Sequence, residues 1–345
     1  MSNVVNLEGL IEYAKSNEAS DLLIDSDGNA KMRVSNNLVN CTVKLDESEY
    51  ARLEGPVPDL NKTRDHEYRC LIGGIYYRVN FFSHFGGWSY TIRIPYTKEL
   101  SFENLGISSA VPKLLSNRSG IIFVSGYANT GKSTTANAMI EYLNRNRNCH
   151  IMTIETTIEH DISPKKAFIS QREFKTDEHK GIASRATHEN VDVIYFSEVD
   201  NRQSVIEAIR CAESGMLVIC VTHTHGVQAT LEYIEKMFDA DQKDWIRHKL
   251  SRYIRGMVAQ SLIPGSNKVS RVLAAEVLIN NPSIAMSIMN DNYSQDNISD
   301  TLDSFNKEGM HSLDSDIARL ARSGVIDKTT ASEYAVSRKN ILKLL

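Results

Sequence analysis

Gly126-Tyr127-Ala128-Asn129-Thr130-Gly131-Lys132-Ser133 is the segment whose residue types and spacing carry the clearest chemistry. It matches G-x-x-x-x-G-K-[ST] in full, with a strand-like apolar run before it (residues 121–124) and a helical run after it (residues 133–142). Glycines let such a loop curl until consecutive backbone N–H groups point at one phosphate, at the positive end of the following helix. Lys132 would bridge the β- and γ-phosphates and Ser133 would offer its hydroxyl to Mg²⁺, so the expected ligands are ATP and Mg²⁺. Gly126, Asn129, Thr130, Gly131 and Thr134 complete the expected nucleotide-contacting set.

A phosphate loop needs a carboxylate on a neighbouring strand to organise metal and water. Residues 191–196 are apolar and lead to Ser197-Glu198, so Glu198 is the candidate for a metal-linked or water-orienting group. Glu155 and Glu159 flank the end of another strand-like run, residues 150–154, and either could accept a proton from attacking water. Residue chemistry alone leaves that choice open. His223 and His225 follow the run at residues 217–221, and a strand's C-terminal end in an α/β sheet faces the ligand crevice.

These groups require a scaffold that aims several strand ends at one place. From about residue 108 short apolar runs alternate with helical spacing, including a helix expected over residues 204–213. Parallel strands buried on both faces read this way, so this half is expected to be an α/β sheet. Beyond about Asp241 the spacing reads as mostly helical. The first hundred residues have another texture. Leu7, Leu10, Ile11 and Ala14 predict an amphipathic helix over residues 7–17. Asp27-Gly28 predicts a hairpin, and Gly73-Gly74 and Gly86-Gly87 separate strand-like runs at 68–72, 75–82 and 88–94. The expected division is a small α+β domain over 1–102, a linker from Pro95 to Glu103, and an ATPase domain with a C-terminal helical region over 108–345.

Composition narrows the class. The chain has 345 residues, 41% of them hydrophobic, enough for a sizeable core in two domains. A net charge of -4 argues against a phosphate-backbone binder, and nucleic acid is not an expected partner. Five cysteines without a CxxC pair point to reduced thiols in a cytosolic chain rather than to a disulfide framework or a four-cysteine zinc site. No apolar run approaches the ~18 to 20 residues of a membrane span, so membrane contact is expected only through a partner.

The ordered motifs together resemble the twitching-motility, or retraction, ATPases of type IV pili, within the secretion-ATPase superfamily. The likeness runs from Glu18-Ala19-Ser20-Asp21-Leu22 through Tyr77-Arg78-Val79-Asn80-Phe81, Ile92-Arg93-Ile94-Pro95 and the phosphate loop. It continues through Ile169-Ser170-Gln171-Arg172-Glu173, Ala212-Glu213-Ser214-Gly215 and Thr222-His223-Thr224 to Gly309-Met310-His311-Ser312-Leu313-Asp314. The bundle-forming type of pilus is the branch it is most similar to. The resemblance implies a PAS-like N-terminal domain and a RecA-like ATPase domain in a homo-hexamer, with ATP between domains and near the neighbouring subunit. It implies a catalytic role for Lys132, Glu159 as the catalytic carboxylate of an acidic box, and Glu198 as the end of the second acidic strand. It makes His223 the γ-phosphate sensor and Arg78 and Arg93 the N-domain arginines near the nucleotide. The implied partner is an inner-membrane platform protein, at the cytoplasmic face of that membrane.

The chain departs from this family in places. Thr156-Thr157 stands where the acidic box has Asp-Pro, and Ser197-Glu198-Val199-Asp200-Asn201 where the family has Gly-Glu-Met-Arg-Asp. Ser83 and Phe85 replace basic residues, and Ser283-Ile284-Ala285 lacks the arginine of Ala-Ile-Arg. The short length and absence of CxxC favour retraction over pilus-extension and type II secretion ATPases, while related secretion-system ATPases of similar length and an accessory retraction paralogue are closer rivals. The thinned arginine set leaves a second reading, an accessory ring component that binds ATP and hydrolyses it weakly. A small-molecule kinase would not account for the N-terminal domain or the extended C-terminal region.

Overall fold

The structure, a computed structural model, describes residues 3–34, 37–53, 65–95, 100–174, 178–267 and 270–345. The chain divides into two compact units, Met1–Lys98 and Glu99–Leu345. Of the expected linker, residues 96–99 lie outside the described residues, and Phe102–Leu105 already forms a helical turn capped by the Ser101 side chain.

In the first unit the predicted helix spans Leu7–Ser16, with Asn6 accepting the Gly9 N–H as its N-cap. Its stripe of Leu7, Leu10, Ile11 and Ala14 is buried in the unit's core. The strands are β1 (Asn3–Val5), β2 (Asp21–Asp25), β3 (Asn29–Val34), β4 (Asn37–Leu45), β5 (His66–Ile72), β6 (Ile75–His84) and β7 (Gly87–Arg93). Their order is β1-β4-β3-β2-β7-β6-β5, antiparallel at every pairing except β1 with β4. All three glycine-marked turns join the strands expected of them. β4 had no counterpart in the sequence reading because its first four residues are all exposed and show no period of two.

The second unit holds β8 (Gly120–Ser125), β9 (His150–Glu155), β10 (Phe168–Glu173), β11 (Val193–Phe196), β12 (Leu217–Thr222), β13 (Ile254–Pro264) and β14 (Arg271–Ile279). Their order is β10-β9-β11-β12-β8-β13-β14, parallel throughout apart from the antiparallel β13–β14 hairpin. Alternate residues of β8 serve two cores: Ile121 and Phe123 join one, Ile122 and Val124 the other. Residues of the helices Arg202–Glu213, Val227–Lys236 and Lys243–Tyr253 cover the first face, and residues of Lys132–Asn146 cover the second. This double covering is why the central strands read as unbroken apolar runs.

One expectation needs correction. The region beyond Asp241 opens with the helix Lys243–Tyr253, but β13 and β14 follow it and extend the sheet before the helices resume at Pro282. The run was hard to read because buried polar residues, Gln260 and Glu276, interrupt both strands. Further on, Leu313, Ile317, Ala318 and Leu320 pack against Ile263 and Ala274 in a small core of their own. Their burial assigns that face of the helix Leu313–Arg322 to intramolecular packing.

Candidate nucleotide site

The loop 126–131 leaves the end of β8 and returns its backbone into the helix Lys132–Asn146. Two glycines make that path possible. A Cβ on Gly126 would sit 2.5 Å from both the Gln260 carbonyl oxygen and Thr130 Oγ1, and Gly131 is left-handed at φ 84°. No side chain caps the helix, so its first-turn N–H groups are available to an anion. Ser133 and Thr134 stand in that turn, half-buried.

Lys132 is only 5% exposed, and its Nζ donates to the Tyr127 carbonyl at 2.7 Å. Thr130 Oγ1 donates to the same oxygen at 2.8 Å. Burial pulls the Lys132 pKa down to about 8, against the carboxylate of Glu198, which pushes it up. Glu198 therefore lies close enough to act on the ammonium group. Its Oε1 stands 3.3 Å from His223 Nε2. Lys132, Glu198 and His223 are thus brought together from three strand ends, those of β8, β11 and β12, which are neighbours in the sheet or separated by one strand.

The two carboxylates left open by residue chemistry differ in setting. Glu155 ends β9 at 3% exposure, with Thr153 Oγ1 donating to its Oε1 at 2.7 Å and Gln171 Nε2 at 3.2 Å. Burial pushes its carboxyl upward in pKa. Glu159 is half-buried in the loop beyond, near enough for its charge to act on Glu155. Two of the departures from the family pattern touch one another, because the Thr156 N–H donates to Ser197 Oγ at 3.2 Å. That bond ties the acidic-box loop to the strand end bearing Glu198.

Arg78 and Arg93 belong to the first unit. Arg78 donates to Glu67 Oε2 at 2.7 Å, and Arg93 to Asp21 Oδ1 at 2.8 Å. A phosphate oxygen would have to compete with these carboxylates for either guanidinium.

Several residues around the loop carried no sequence signal. Gln260 Nε2 on β13 donates to the Thr130 carbonyl at 2.7 Å, and Arg271 Nη1 on β14 to the Asn129 carbonyl at 3.2 Å. The β13–β14 hairpin therefore braces the phosphate loop. Glu276, also on β14, accepts the Val227 N–H at 3.2 Å, at the first turn of the helix that follows the His223 loop. Only the pairing of β13 with β8 and of β14 with β13 brings these groups to the site, and no local pattern records it.

Residues 71–319 match the family described as type II/IV secretion system protein. The chain belongs to that family. A twitching motility protein of Neisseria gonorrhoeae is 32% identical over 267 residues, 77% of this chain and 71% of that protein. The type IV pilus retraction ATPase PilT of Pseudomonas aeruginosa is 31% identical over 268 residues, 76% of each. A crystal structure of the pilus retraction motor PilT with bound ADP has a TM-score of 0.81 at 26% identity, covering 98% of this chain and 99% of that one. The Legionella pneumophila ATPase DotB, at 20% identity and TM-score 0.78, shares the fold. Within the family the chain is PilT-like, an α/β protein with two mixed sheets, and it is a nucleotide-binding ATP hydrolase.

Proposed function

We propose that this chain is the ATPase of a type IV pilus retraction motor, working as a homo-hexamer against an inner-membrane platform protein at the cytoplasmic face. The observation that carries this reading is the convergence of Lys132, Glu198 and His223 beside an uncapped helix end built to take phosphate. Similarity to retraction motors over three quarters of the chain supports the choice of machine. No described helix is long and apolar enough to cross a membrane, and membrane contact is assigned to the platform partner.

In this reading the N–H groups of residues 131–134 and the Lys132 ammonium hold the phosphates of ATP. Asn129 and Thr130 shape the loop around them. The Ser133 hydroxyl and the Glu198 carboxylate are the groups that would hold Mg²⁺, which supplies positive charge to the phosphate oxygens. Glu159 takes the proton of the attacking water. His223, paired to Glu198, registers whether the γ-phosphate is present. Arg78 and Arg93 contribute positive charge toward the transferring phosphoryl group, once it displaces Glu67 and Asp21. Binding energy that differs between the ATP and ADP states is what becomes movement around a ring.

The test is a chromosomal Lys132→Ala replacement in the source bacterium. Pili should still assemble but fail to retract, measured as loss of twitching and of retraction force on tethered beads. Loss of piliation itself, or retraction at the normal rate, would contradict the assignment.

A further inference from the structure

The second residue of the phosphate loop does something no motif requires. The Tyr127 ring stacks on the His225 imidazole with centroids 4.7 Å apart and planes 9° from parallel. The two residues leave the sheet on adjacent strands, since Ser125 at the end of β8 pairs in register with Thr222 at the end of β12. The stack therefore joins the loop carrying Lys132 to the loop carrying His223.

Both ends of this contact are tied to site chemistry. The Tyr127 carbonyl is the shared acceptor for Thr130 Oγ1 and Lys132 Nζ, at 2.8 and 2.7 Å. Moving Tyr127 thus moves the acceptor that holds the lysine in the absence of phosphate. On the other side, His225 Nδ1 is buried without a hydrogen-bond partner among the described residues, so that nitrogen does nothing to fix the ring. The loop beyond it is held from below: Thr224 Oγ1 lies 3.1 Å from Thr222 Oγ1 and 2.7 Å from Thr230 Oγ1, and Thr230 Oγ1 also donates to the Gly226 carbonyl at 2.7 Å. Burial holds the His225 pKa below the usual histidine range, which favours the neutral imidazole in the stack. A tyrosine 61% exposed gains little from burial, so the contact with His225 is the main restraint on its ring.

We propose that Tyr127 and His225 are a positioning pair, whose stacked rings couple the phosphate-binding loop to the His223 loop so that both respond together to the terminal phosphate of ATP. Neither ring touches the reacting atoms in this account. Their effect runs through the Tyr127 carbonyl to Lys132, and through the 222–226 loop to His223. The proposal rests on the nucleotide reading of this site.

The experiment is steady-state ATPase kinetics and direct binding of a fluorescent ATP analogue, on the full chain, for Tyr127→Ala, His225→Ala, the double variant and Tyr127→Phe. Each alanine variant should raise KM and the analogue's Kd by roughly three- to tenfold, the scale of one aromatic pair. The double variant should be no worse than either single one, because both remove the same contact. Tyr127→Phe restores the ring and should return KM to within about twofold of wild type. Additive losses in the double variant, a Phe variant as weak as the Ala variant, or alanine variants with wild-type KM would each overturn the coupling. Failure of the wild-type chain to bind the analogue would instead overturn the nucleotide reading, which separates the two outcomes.

Discussion

Glu159→Gln should lower ATP turnover by roughly 10² to 10⁴-fold while leaving nucleotide affinity within about twofold, as expected for loss of a general base. The amide keeps the size and polarity of the side chain but cannot accept the proton of the attacking water. Glu155 is the rival, and its setting argues against it. Its Oε1 is committed to Thr153 and Gln171, and Gln171 in turn donates to the His160 carbonyl at 2.9 Å and accepts the Ile162 N–H at 2.8 Å. The Glu155 carboxylate thus organises the segment that carries Glu159. At 3% exposure it also has little access to substrate water. Single-turnover and steady-state phosphate release, with ATP binding measured separately, decide between them. A Glu155→Gln variant that binds ATP normally yet loses turnover, beside an active Glu159→Gln, would reverse the assignment.

Glu276→Gln should flatten the pH dependence of stability and make the chain more stable than wild type above neutrality. Glu276 is 2% exposed on β14, and burial pushes its pKa from 4.5 up to about 7. Asp303 and Asp314 push in the same direction, and the hydrogen bond from Val227 opposes them. A carboxyl with a raised folded pKa binds its proton more tightly in the folded than in the unfolded chain. Its contribution to stability is therefore complete below about pH 4.5 and is lost as pH rises through 7. At 1.36 kcal/mol per pKa unit the loss is on the order of 3 kcal/mol. Glutamine stays neutral and still offers an oxygen to the Val227 N–H, so this loss disappears. Urea unfolding of both proteins at pH 5 and pH 8 tests it. The wild type should fall well below the variant at pH 8, with the gap shrinking toward pH 5. A constant gap, or a variant less stable at pH 8, would mean that Glu276 is held ionised by groups other than those named.

How much of this was legible depended on how local each signal was. The phosphate loop carries its whole instruction in eight residues, including the glycines that its path demands. The same holds for the turns at Asp27-Gly28, Gly73-Gly74 and Gly86-Gly87, where glycines adopt positive φ in all three. β13 and β14 were illegible because Gln260 and Glu276 break the apolar runs that mark buried strands. Those same residues hold the phosphate loop and the helix after His223, so the local pattern was broken where a site had to be braced. The choice between Glu155 and Glu159 was closed to residue chemistry because it turns on which carboxylate is already spoken for. The Tyr127–His225 stack joins residues far apart in sequence, and neither residue alone signals the other.

On the proposed reading this chain turns over ATP as a ring. Phosphate release with Mg²⁺ and ATP, measured across size-exclusion fractions, tests it most directly. Activity should follow the hexamer-sized fraction. Hexamers that bind ATP but release no phosphate would contradict it, and would make the chain a nucleotide-binding accessory of the motor.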